Sequence, residues 1–210
     1  MISTLPYRLR ARVQSKFLGM SMLWVAAVLC CASCNTTLTQ DEALRWIADV
    51  ENGLSDTATV GEYVLRTTVV PSFVSSSRVV NAASSIDSSY VCIRAVVSRS
   101  ERTGQQDVLL DGATSHQQFA QRLEGVAFLL HDDMMLKLAG GREVTGVDTS
   151  FEQNLGLGDR RIMHVTFPIS EREFSQAESA TLVWTDRYFG AGRIEFDFKP
   201  PAIQELVECL

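Results

Sequence analysis

The segment Tyr90-Val-Cys-Ile-Arg-Ala-Val-Val-Ser98 decides the predicted fold. Apolar side chains recur at every second position from Val91 to Val97, whereas Cys92 and Arg94 occupy positions between them. Successive side chains of a β-strand point to opposite faces. The pattern therefore predicts a strand with one face in the core and the other toward solvent.

The same two-residue period recurs in later parts of the chain. His164 and Thr166 alternate with apolar neighbours, and so do Glu195 and Asp197. Further strand-like segments are residues 62–70, 126–138, 143–151 and 181–188, which end at Pro71 or flank the turns at Gly140-Gly141 and Gly190-Ala-Gly192. About seven strands predict a mainly β, immunoglobulin-like antiparallel β-sandwich, with a closed barrel as the alternative. The residues expected in its core include Val91, Ile93, Val165, Phe167, Phe196 and Phe198.

Three short helices are predicted beside the strands. Thr39 and Glu42 form a capping-box pattern that begins a helix ending by Val50 or Gly53. Ser115 and Gln118 form a second such pattern, which predicts a crossover helix between the two halves of the sandwich. A third helix is expected at residues 202–210.

The N-terminal region has the parts of a bacterial secretory signal. A basic stretch ends at Lys16, and an uncharged, largely apolar run follows to Ser33. The run ends in Cys31-Ala32-Ser33-Cys34, which resembles the cleavage site of bacterial lipoprotein signals. The resemblance implies that Cys34 becomes the lipidated N-terminus; simple cleavage and an uncleaved anchor are the alternatives. Asn35 differs from the Asp that resembles an inner-membrane retention signal, which favours the outer membrane.

These features divide the chain into a signal peptide (1–33), a lipidated N-terminus and tether (34–58) and a β-sandwich domain (59–210). The chain has 19 basic and 25 acidic residues, and four of the basic ones lie in the signal, so the remainder carries a net charge of −10. An acidic body argues against a nucleic-acid partner, because phosphates require Lys and Arg. Cys92 and Cys209 are expected to be unpaired, although the oxidising envelope leaves a disulfide between them open.

Short motifs across residues 44–200 resemble an uncharacterised family of bacterial envelope lipoproteins. They are Trp46, the sequence Asn52-Gly53-Leu54, a strand ending at Pro71, and a closing hairpin with the Gly190-Ala-Gly turn and Phe196-Asp-Phe. The resemblance implies an envelope lipoprotein and carries no activity or site residues.

The sequence predicts no catalytic, cofactor-binding or metal-binding residues. His131-Asp132-Asp133 is the densest group of metal-ligand types, and it is interpreted as a solvated bend. Residues 148–154 lack the glycine and the final glutamate of a calcium loop. Cys92 lies mid-strand, where no helix N-terminus lowers the pKa of its thiol.

Two classes of function follow. The first is a non-catalytic module, anchored to the outer membrane by its lipid, that binds an envelope protein or assists envelope assembly. The second is an envelope hydrolase or metal-dependent enzyme whose residues converge only in three dimensions. The first is favoured, because ionisable residues do not cluster in the sequence.

Overall fold

The computed structural model describes residues 38–75, 88–100, 107–152 and 160–210. All the elements below belong to one compact unit, Leu38–Glu208. Residues 1–37 lie outside the described residues. The signal peptide and the lipidation of Cys34 therefore stay predictions.

The described part of the chain forms nine β-strands in two antiparallel sheets, which confirms the mainly β sandwich. The five-stranded sheet has the order β1-β2-β3-β7-β6, and the four-stranded sheet has the order β5-β4-β8-β9. The strands are β1 Ser55–Val60, β2 Tyr63–Val70, β3 Val91–Arg99, β4 Met134–Leu138, β5 Glu143–Thr145, β6 Asp148–Phe151, β7 Arg160–Phe167, β8 Ala180–Asp186 and β9 Gly192–Phe198.

Within the described ranges, five short α-helices accompany the sheets: α1 Gln40–Ala48, α2 Ser72–Ser75, α3 His116–Glu124, α4 Glu171–Gln176 and α5 Ala202–Glu208. The hydroxyl of Thr39 accepts from the backbone N–H of Glu42, as the capping box at α1 predicts. Helix α3 is the expected crossover, since it connects β3 of one sheet to β4 of the other. Its cap also forms, with Ser115 accepting from the N–H of Gln118.

The core confirms the predicted alternation. Val91, Ile93, Val165 and Phe167 are at most 1% exposed, and so are Ala95, Val97 and Met163 on the same faces of β3 and β7. Phe196 is 0% exposed on β9, and the intervening positions of that strand are exposed. The two apolar faces therefore meet between the sheets, where they exclude water.

Residues 126–138 do not form one strand, and that prediction was wrong. Gly125–Leu129 is a π-helical turn and Leu130–Asp133 a 3₁₀ turn, so strand β4 begins only at Met134. Val126 and Leu130 are both fully buried and lie four positions apart. Their spacing matches a helical turn rather than a strand.

Residues 143–151 are also divided, because the chain changes sheets at Gly146. The N–H of Gly146 donates to Met134 of the four-stranded sheet, and the N–H of Val147 donates to Thr166 of the five-stranded sheet. A Cβ at Gly146 would lie 2.9 Å from the backbone oxygen of His131. The change of sheet thus needs a residue without a side chain.

The region assigned to the tether extends into the sandwich. Ala43 and Ile47 of α1 are 1% exposed, and β1 pairs along its whole length with β2. The predicted division at residue 58 therefore falls inside β1. Strand β1 was not predicted because its sequence, Ser-Asp-Thr-Ala-Thr-Val, is largely polar. Most of its residues are only partly buried or exposed, so no apolar alternation marks the strand.

A buried ion pair holds the 3₁₀ turn Val108–Leu110 against β7. Arg161 and Asp107 are 7% and 6% exposed in their side chains, and Nε of Arg161 donates to Oδ1 of Asp107 at 2.8 Å. The same oxygen accepts from the N–H of Leu109, while the guanidinium lies 5.1 Å from the centre of the Phe151 ring. One carboxylate therefore caps the 3₁₀ turn Val108–Leu110 and neutralises the arginine.

Candidate functional site

The outer face of the five-stranded sheet brings reactive side chains together. Alternation turns Cys92 and Arg94 of β3 outward, together with His164 and Thr166 of β7. The register places Cys92 opposite Thr166 and Arg94 opposite His164. Directly opposed residues on one face of a sheet are close enough for their side chains to interact.

Glu152 completes a row of three groups on this face. It follows β6 and is held to the sheet by its N–H, which donates to the oxygen of Ile162. His164 lies 3.0 Å through Nε2 from Oε1 of Glu152 and 3.9 Å through Nδ1 from Sγ of Cys92. We call Cys92, His164 and Glu152 the thiol row.

The thiol row has the order of a nucleophile, a base and a group that orients the base. A carboxylate on one imidazole nitrogen fixes the tautomer, so that the other nitrogen faces the thiol as a proton acceptor. Burial raises the pKa of the Cys92 thiol, and the carboxylate of Glu171 raises it further. The thiol is therefore protonated at neutral pH, and any nucleophilic chemistry requires proton transfer to His164.

Sequence reasoning missed this site, although it placed two of its members on outward faces. Cys92 and His164 are 72 residues apart, and only the pairing of β3 with β7 makes them neighbours. Glu152 lies just beyond β6. The sequence analysis treated β5 and β6 as one strand, residues 143–151, and so did not place Glu152 beside β7. The alternation was readable from the sequence, whereas the strand order was not.

The residues that the sequence singled out, Cys34 for lipidation and His131-Asp132-Asp133 as a solvated bend, are not members of the thiol row. Cys34 lies outside the described residues. Asp132 is exposed, as a solvated bend requires, but Asp133 is buried and forms an ion pair with Arg187. Burial raises the pKa of Asp133, and the adjacent arginine opposes that rise. Within the described ranges, no group of three or more ligating side chains is placed to hold a metal ion.

A second surface is apolar. The side chains of Phe128, Leu129 and Val147 are 68%, 49% and 50% exposed. The first two belong to the π-helical turn that packs against β6, and Val147 immediately precedes that strand. We call these three residues the apolar corner. The exposed acids Glu124, Asp132 and Asp148 lie close to them in the chain.

The aromatic turn between β8 and β9 is structural. Phe189 is 8% exposed and packs edge-on against Trp184 and Tyr63. The carboxylate of Asp186 accepts from the N–H groups of Tyr188 and Ala191 at 2.8 and 2.7 Å. The turn thus packs onto the domain through the buried ring of Phe189.

Comparison with known proteins adds little to this geometry. No family model and no curated protein matches the chain. A solved structure of a protein of unknown function from Burkholderia pseudomallei is similar, with 11% identity and a TM-score of 0.37, and the match covers 84% of this chain and 97% of that one. A likeness of this size carries no functional information. Among the described helices, none is both long and apolar enough to cross a bilayer.

Cys92 and Cys209 are both free thiols. Cys92 is half-buried and Cys209 is exposed. The two cysteines therefore differ in environment within one chain.

Proposed function

We propose that the protein is a lipoprotein, anchored to the outer membrane through Cys34, whose β-sandwich acts by binding an envelope protein. The anchor is supported by the basic stretch, the apolar run and the Ala32-Ser33-Cys34 motif. Two or three acyl chains hold a protein stably at a membrane, whereas one chain holds it only marginally. The apolar corner is the observation that carries the binding role.

The apolar corner is suited to a protein interface. Single exposed apolar residues are common, but here three large ones lie on adjoining segments, with Phe128 68% exposed. Burying apolar surface gains roughly 25 cal/mol per Å². Aromatic side chains near the centre of an interface often carry most of its binding energy.

Charge around the apolar corner indicates the chemistry of the partner. Glu124, Asp132 and Asp148 are exposed and lie close to the apolar corner in the chain, and the chain after residue 33 carries a net charge of −10. A partner surface with an apolar pocket framed by Lys and Arg is complementary to this arrangement. A nucleic acid is not, because its phosphates would be repelled.

Replacement of Cys34 tests the anchor. We expect Cys34→Ala to abolish acylation, so that the protein stays unprocessed or leaves the outer-membrane fraction. Mass spectrometry of the membrane-extracted protein and fractionation are the measurements. Cys209→Ala is the matched control and should leave both unchanged. An intact N-terminus at Met1 in the wild-type protein, or an unmodified Cys34, would contradict the proposed anchor.

Replacement of Phe128 tests the binding role. A photoreactive amino acid at position 129 should crosslink an envelope protein, and Phe128→Ser should lower that yield at least about tenfold, which corresponds to roughly 1.4 kcal/mol. Higher salt should lower it as well, because the surrounding charges are screened. Leu44→Ser is the control, since Leu44 is 44% exposed on α1. Equal yields in the two variants, or no crosslinked protein, would refute the role of the apolar corner.

A further inference from the structure

The thiol row has the arrangement of a nucleophilic site, and the proposed binding of an envelope protein gives these three residues no role. We propose that Cys92, His164 and Glu152 form a nucleophilic site that takes the acyl group of small esters or thioesters and hydrolyses it. The inference is independent of the apolar corner. It differs from the sequence-based prediction, which assigned no catalytic residues.

The geometry supplies each role from a different part of one sheet. Glu152 occupies Nε2 of His164 at 3.0 Å, which leaves Nδ1 directed at Sγ of Cys92 at 3.9 Å. Apo structures often hold nucleophile and base farther apart than the reacting complex does. His164 and Glu152 are 27% and 46% exposed in their side chains, so the row is open to a small molecule.

The reaction balances with water as the only co-reactant. Nδ1 of His164 takes the thiol proton as Sγ of Cys92 attacks the acyl carbon, and the imidazolium returns this proton to the departing alcohol or thiol. The product is a thioester on Cys92. A water molecule then gives a proton to His164 and its oxygen to the acyl carbon, and Sγ leaves and regains its proton.

The neighbours of the thiol row indicate the substrate class. Thr166 is the register partner of Cys92, so its hydroxyl lies on the same face and is the nearest candidate donor to the oxygen on which charge develops. Arg94 is the register partner of His164 and has no carboxylate partner among the residues that the structure describes. A guanidinium in that position binds carboxylate or phosphate. The favoured substrate is therefore a small acyl donor that carries an anionic group.

The exposed Cys209 provides an internal reference for reactivity. Cys92 is half-buried and its thiol has a raised pKa, so without a base it should react more slowly than Cys209. If Cys92 reacts faster than Cys209, His164 must act as the general base. A merely structural cysteine would not show this faster reaction.

The test uses p-nitrophenyl acetate with the full chain in detergent, and follows acylation of each cysteine by peptide mass spectrometry. We expect Cys92 to acylate at least about tenfold faster than Cys209. His164→Gln should lower the Cys92 rate by about 10²-fold or more, the usual contribution of a general base. The Cys209 rate should not change. Glu152→Gln, on an exposed side chain, should give a smaller loss and provides a second variant if His164→Gln does not fold.

Substrate preference is tested with the mono-p-nitrophenyl ester of succinic acid, which differs from the acetate by a carboxylate. The wild-type protein should prefer this ester, and Arg94→Gln should remove the preference. Two results would overturn the site: acylation of Cys92 no faster than of Cys209, or rates unchanged in both His164→Gln and Glu152→Gln. No preference for the anionic ester would overturn the assigned substrate class.

Discussion

We expect Phe196→Ala to lower the free energy of unfolding by about 3–5 kcal/mol, the usual cost of truncating a buried phenylalanine. Phe196 is fully buried on β9, where it is paired with Leu182 of β8. The lost ring removes apolar contacts and leaves a cavity that the two sheets can close only by moving closer together. Urea unfolding followed by tryptophan fluorescence is the measurement, and the buried Trp184 contributes to that signal.

Glu195→Ala is the matched control one position away. Glu195 points to solvent and accepts a hydrogen bond from the exposed Arg193 at 2.6 Å. The substitution should change the free energy of unfolding by no more than roughly 0.5 kcal/mol. Equal losses at the two positions would mean that β9 is shifted by one residue, because such a shift exchanges the two faces of a strand.

Asp107→Ala is expected to cost about 3–5 kcal/mol, because it leaves the guanidinium of Arg161 buried without its carboxylate. Arg161 is only 7% exposed in its side chain. The change also removes the acceptor that caps the turn Val108–Leu110. Chemical denaturation at neutral pH measures the loss.

An exposed ion pair gives the comparison. Lys137 and Glu143 are 2.7 Å apart across β4 and β5, with side chains 38% and 51% exposed. Glu143→Ala should cost roughly 0–1 kcal/mol, as is usual for a surface pair. If Asp107→Ala costs no more than Glu143→Ala, then water reaches Arg161 and the pair is not a buried one.

The fold could be predicted where burial differs sharply between the faces of a strand. Apolar and polar residues alternate from Val91 to Val97 and from Ile194 to Phe198. In each strand one face is buried in the core and the other faces outward. Apolar alternation did not predict the structure where the difference in burial between the two faces was weak or absent. The strand β1 has few apolar residues, and the buried Val126 and Leu130 belong to tight turns that continue directly into β4.

The candidate site could be predicted only in part. Local pattern is enough to place Cys92 and His164 on outward faces, since each depends on its own strand alone. Their approach depends on β3 and β7 being neighbours, which is decided by how both sheets pack and not by local preference. Ionisable groups that are scattered along a sequence are therefore weak evidence against an active site.

The change of sheet at Gly146 has a consequence for how the domain comes apart. Thr145 and Asp148 are three positions apart and belong to different sheets, so neither sheet can detach without straining the hydrogen bonds of the other. Half-open molecules that expose one apolar sheet are the species that aggregate through unpaired edges. A protein crowded on a membrane by its proposed anchor meets copies of itself often. If the two sheets open together, fewer half-open copies would be available for self-association at the membrane.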